Sequence, residues 1–191
     1  MGLKHFLATL GALGMLVMAG AVPAQATIFD RGSFSFEESV DEDLCGIDVH
    51  RDTVFNLQFR NRTGKGDLDQ AFFGFSRLDS TDTFTNLATG ASFTIEGGGI
   101  SKDVRATRVS GNVFEFTVLD AGMTAVVRDM DGNVVLRDRG ALWRTILFDT
   151  LGDSQPGGVP LEEVVTRVSG PHPLFDMDED AFCGMVHELI G

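Results

Sequence analysis

The chain has 191 residues and a formal charge of −13, with 15 Lys and Arg against 28 Asp and Glu. It is long enough for one full core, and so acidic a surface argues against nucleic acid or anionic lipid as its partner. Sixteen Phe with no Tyr and a single Trp suit packing better than a broad aromatic recognition platform.

Lys4 and His5 precede an apolar run from Phe6 to Val22 that closes on Pro23-Ala24-Gln25-Ala26. That is the pattern of a secretory signal peptide, 1–26, cleaved after Ala26. Gly11, Gly14 and Gly20 weaken the run as a membrane anchor, and no basic stop-transfer cluster follows it. Residues 27–191 are then expected as a single secreted, extracellular domain with no membrane span. Cleavage removes Lys4, so the mature chain is more acidic still.

Strands follow in order. Ser33 to Glu37 alternates like a first strand, and the acids from Glu37 to Asp43 read as a connection. From Ile47 to Arg60 the odd positions Ile47, Val49, Phe55, Leu57 and Phe59 form an apolar side interrupted by Arg51 and Thr53, and Asp48, His50 and Asp52 fall on the wet side. Asn61 to Asp69 reads as a polar loop, after which Phe72, Phe73 and Phe75 restart a strand. Thr83–Asn86 and Ala91–Ile95 flank a hairpin turn whose Gly90 supplies a left-handed residue, and Gly97-Gly98-Gly99 marks a break.

A meander runs from Val104 to Arg137. Phe114, Phe116 and Val118 alternate with Glu115 and Thr117, and turns are predicted at Ser110–Asn112, Asp120–Gly122 and Asp129–Asn133. The last of these superficially resembles a calcium loop, but placing its Gly correctly puts Val127 at the first ligand position. Leu142 to Phe148 and Leu161 to Val168 are further strands, separated by a Gly- and Pro-rich loop. Thr-Arg-Val-Ser-Gly occurs at 107–111 and again at 166–170, as two similar strand-ending turns would require. At the end, Asp176 and Glu179 are placed to cap a helix whose face carries Phe182, Val186, Leu189 and Ile190. The expected fold is all-β: a small antiparallel barrel or sandwich of about eight to ten strands with a short C-terminal helix.

Export places Cys45 and Cys183 where a disulfide persists, and with two cysteines the pairing within one chain is unambiguous. That bridge would bring the acids around Asp41 and Asp43 near Asp176, Asp178 and Asp180. Calcium takes six to eight oxygens, so these five residues are the candidate ligands of a weak Ca²⁺ site, although no loop has a recognised ligand spacing. No catalytic or cofactor-binding residue is singled out. Gly-x-Ser-x-Gly, His-Glu-x-x-His, phosphate loops and Cys-x-x-Cys are all absent.

Several of these features together carry a resemblance: the signal peptide, Cys45-Gly46, Thr85–Gly90, Asp131-Gly132-Asn133, and Gly170–Phe175 followed by Phe182-Cys183. In them the chain resembles a set of small secreted β proteins of actinobacterial type with paired terminal cysteines and no assigned activity. The resemblance implies a one-domain β fold and carries no functional residue. The expected function is therefore a secreted, non-catalytic β domain with a binding or scaffolding role toward an extracellular or cell-surface partner. The alternatives are a barrel-type small-ligand carrier or enzyme with Arg51 or Trp143 lining a polar cavity, and a Ca²⁺-stabilised extracellular domain.

Overall fold

Alternation of apolar and polar residues persists much further along each strand than the turn residues suggest. A computed structural model describes residues 30–153 and 155–191, the side chains of Met123 and Thr124 apart; the signal-peptide segment lies outside them. The strands are β1 (Asp30–Leu44), β2 (Ile47–Thr63), β3 (Phe72–Asn86), β4 (Ser92–Ser110), β5 (Val113–Arg128), β6 (Val134–Asp138), β7 (Ala141–Asp149) and β8 (Val159–Ser169). All belong to one antiparallel sheet in the order β1-β2-β3-β4-β5-β7-β8. β6 and β7 lie end to end along β5, β6 against Ala125–Arg128 and β7 against Val113–Ala121. The fold is all-β with a C-terminal helix. β1 and β8 are the two edges of the sheet. At about 3.3 Å per residue, the 19 residues of β4 reach about 60 Å.

Three predicted interruptions are instead strand. The acidic run Glu37–Asp43 belongs to β1, because Val40 and Leu44 keep the period of two and Glu38 and Glu42 face Arg51 of β2. Gly97, Gly98 and Gly99 pair with Ser80, Asp79 and Leu78, and a Cβ at Gly97 would meet Ser80 Oγ at 2.8 Å. These glycines permit a close strand approach. Gly122 (φ 63°) sits in a bulge within β5, where Ala121–Thr124 lie opposite Gly98–Ile100. The extra residue switches the phase, so Val127 shares a face with Phe116 and Val118. Likewise, β2 continues to Thr63, so the connection is residues 64–71, built around the 3-10 turn Gly66–Leu68. The turns at Gly90 (φ 75°), Gly111 (φ 51°) and Asp129–Asn133 form as predicted, with Asp129 Oδ1 accepting from the N–H groups of Asp131 and Asn133. Both Thr-Arg-Val-Ser-Gly segments end strands, with Gly111 and Gly170 at positive φ.

The inner face carries the core in two clusters. One packs Val49, Phe84, Phe93 and Val127 beneath the helix α2 (Glu179–Ile190), which contributes Phe182, Met185, Val186 and Ile190. Phe84 and Phe93 stack at 4.9 Å, and Asn86 Nδ2 donates to the Ile190 carbonyl at 2.7 Å. The other gathers Ala71, Phe73, Ala106, Phe114, Phe116 and Val118 at the opposite end. A short α1 (Pro173–Asp176) precedes α2, and Asp176 is its last residue. Met177 is extended, so the capping residue of α2 is Asp178, two positions beyond the expected Asp176, and its Oδ1 accepts from Ala181 N at 2.9 Å. Asp178→Ala is expected to cost about 1 kcal/mol and Asp178→Asn a few tenths, read from urea unfolding.

Candidate functional site

Cys45 and Cys183 are joined, which anchors α2 to the β1–β2 turn. The five candidate calcium ligands have local partners or positions. Asp41 Oδ1 lies 2.6 Å from His50 Nδ1; Asp43 accepts from Gly46 N at 3.1 Å; Asp178 caps α2; Asp176 closes α1 and Asp180 lies in the first turn of α2. Among the described residues, no three His, Cys, Asp or Glu side chains gather as metal ligands. His50 stands between Asp41 and Asp52 on the wet face, and its hydrogen bond to Asp41 raises its pKa above the usual imidazole value.

Ionisable groups on the inner face form three further arrangements. Arg51 faces Glu42 at 2.8 Å, Glu38 at 3.6 Å and Asp82 at 3.7 Å, so its charge is spent in an ion-pair cluster. Arg144 grips the buried Asp120 with both arms of its fork, Nε to Oδ2 at 2.5 Å and Nη2 to Oδ1 at 3.1 Å, and reaches Glu163 at 2.7 Å. His172 and Asp138, both buried, lie 3.6 Å apart beside the join of β6 and β7, and His172 Nε2 lies 3.1 Å from the Ser169 carbonyl. The sequence gives His172 no partner; the structure supplies Asp138. The signal for Asp120 was present in the pattern: it continues the phase of Phe114, Phe116 and Val118, an acid where the alternation demands a core residue.

Asp103, close to Arg144 and Asp120, accepts from Gly74 N at 2.6 Å, and burial pushes its pKa up to about 6. The folded state therefore holds this proton more tightly than the unfolded chain. Its stabilising contribution is fully present below about pH 4 and is lost as pH rises toward 6. Asp103→Asn imitates the protonated form. It is expected to match the parent near pH 4 and to exceed it in unfolding free energy at pH 7.5, whereas parallel stability curves would refute the assignment.

The outer face carries a different feature. One cross-strand row passes from β1 to β8: Arg31 opposite Arg60, Arg60 opposite Phe75, Phe75 opposite Lys102, Lys102 opposite Leu119, Leu119 opposite Trp143, and Trp143 opposite Arg167. Directly opposed residues share a face, and Leu119 alternates with the buried Val118 and Asp120, so the row points outward. Arg62 and Arg77 lie two residues along their strands from Arg60 and Phe75, and Arg105 stands opposite Thr117 on the same face. This belt holds seven of the chain's 15 basic residues. All seven are exposed. Arg60 stacks on Phe75 at 4.5 Å, and Arg62 lies 4.9 Å over the ring of Phe73, which packs into the second core cluster beyond the point where β3 stops pairing with β4. Among the described residues, only Arg77 of the seven has a carboxylate within ion-pair distance, Asp79 at 3.4 Å. Sequence reading missed the belt because its row crosses seven strands and its members meet only through register. Trp143 belongs to this outward row.

Two open depressions of about 230 and 440 Å³ flank Gly97–Gly99, the larger bordered by Arg77 and Ile100 of the outer face. The fold and these features define a disulfide-stapled, single-sheet β protein with a charged outer face. No protein family, curated protein or solved structure matches the chain.

Proposed function

We propose that this is a secreted, non-catalytic binding or scaffolding domain that works outside the cell through the outer face of its sheet. The observation that carries the reading is the exposed row of cations without carboxylate partners on an otherwise acidic molecule. Cations left unpaired in this way repel one another until a partner supplies anions. A disulfide spanning nearly the whole chain suits an oxidising compartment, as the leader sequence does. The inner-face arginines are consumed in ion pairs, which favours a structural over a catalytic use of that face.

The test is to express the full-length chain, recover it from the medium, and weigh it under native conditions and after unfolding without reductant. A chain beginning at Thr27, lacking the two hydrogens of a disulfide and gaining no mass in the native measurement, is the expected result. Retention inside the cell, free thiols or a native mass excess would overturn the reading, and an excess would turn attention to a carried ligand.

A further inference from the structure

We propose that the outer-face belt is the docking surface for a linear acidic polysaccharide, whose carboxylates pair with the arginines and whose sugar rings lie against Trp143. The inference rests on the binding role above and names its partner.

Shape selects the partner. Strands stand about 4.8 Å apart, so the row from Arg31 to Arg167 is about 29 Å long, and from Arg77 to Arg62 and Arg105 it is only about 13 Å wide. Acids bound it on both sides. Glu115 and Glu162 stand opposite Leu147 and make the next outward row on one side; Glu37, Val54, Thr81 and Glu96 make a row on the other. A flat anionic bilayer laid over the belt would also press its headgroups against these carboxylates. A single polymer strand follows the cations and avoids them.

The chemistry selects further. A single-stranded nucleic acid needs open aromatic faces for its bases, but the Arg60 guanidinium roofs Phe75, and Phe73 is packed into the core beneath Arg62. The same stacking holds the planar forks in place, with N–H donors free to take a carboxylate in two parallel hydrogen bonds. Trp143, the chain's one Trp, is half-buried between Leu119 and Arg167 and offers an apolar ring edged by charge, the surface that a sugar ring needs. Arg31 directly opposite Arg60 is unfavourable in the free protein, and an anion bridging them relieves that repulsion.

The experiment measures binding of the secreted, disulfide-intact protein to sodium polygalacturonate, with dextran, an oligothymidylate and phosphatidylglycerol-rich vesicles as competing probes. Polygalacturonate is expected to bind, with affinity that falls as salt rises, and dextran is not. Arg60→Gln/Lys102→Gln/Arg167→Gln is expected to weaken binding by about tenfold or more with an unchanged melting curve, since all three side chains are exposed. Arg137→Gln, an exposed cation far along the same face, is the control and should leave binding intact. Tighter binding to the oligonucleotide or to the vesicles than to the polymer would overturn the polysaccharide. Equal binding by the triple variant would overturn the belt and leave a binding role elsewhere on the molecule. No binding to any probe would overturn the proposal outright, and the secretion and mass measurement then decides separately whether the extracellular role stands.

Discussion

Arg144→Leu is expected to lower the unfolding free energy by about 3–5 kcal/mol, a loss typical of breaking a buried ion pair from one side. Asp120 is 4% exposed and Arg144 supplies its two-armed hydrogen bond, so removing the guanidinium strands a carboxylate away from water. Coulomb attraction alone does not set the size of the effect. Desolvation of the orphaned acid does, and so the partner's removal should undo it: Asp120→Leu/Arg144→Leu is expected to recover most of the stability. Arg144→Lys keeps the charge and loses the fork, and should fall between. Urea unfolding at neutral pH measures all three. A cost below about 1 kcal/mol for Arg144→Leu would mean that water reaches Asp120 and that the pair is a surface one. Arg144 also draws the Asp103 pKa down, so the single variant should steepen the fall in stability between pH 4 and 6.

The strands were legible because a period of two survives any local interruption. Phe114-Glu115-Phe116-Thr117-Val118 marks a half-buried strand whatever surrounds it, and the turns at Gly90 and Asp129–Asn133 carry residues that few other conformations favour. The false breaks share one cause: Gly and acid runs are local signals, and tertiary pairing overrode them. Gly97–Gly99 serve a close approach to β3, Gly122 serves a bulge, and Glu38 and Glu42 have Arg51 across the ladder. The acids near the cysteines were visible as a cluster in sequence, yet Asp41, Asp43 and Asp178 each hold a local partner. The belt was invisible for the complementary reason. Arg31 and Arg167 are 136 positions apart, and only the register of seven strands puts them in one row.

Removing the disulfide is the other large perturbation. Cys45→Ser/Cys183→Ser is expected to cost up to about 5 kcal/mol, the chain-entropy value for a loop of 138 residues, read as a lower urea midpoint. Entropy is the dominant reason, since the bridge spans almost all of the described chain and its loss frees the unfolded ensemble more than it disturbs the folded one. The folded state has its own hold on α2. Phe182, Val186 and Ile190 pack on Val49, Phe84 and Phe93, and Asn86 Nδ2 donates to the Ile190 carbonyl at the end of the helix. The variant should therefore remain folded with α2 docked, and the protection of the α2 amides against hydrogen exchange should fall together with that of the strands beneath it. Selective loss of protection in α2 would show instead that the bridge, and not the apolar face, holds the helix on the sheet. The first cluster would then open to solvent at Phe84 and Phe93. A cost below about 1 kcal/mol would mean that the unfolded chain stays compact enough for the tether to matter little.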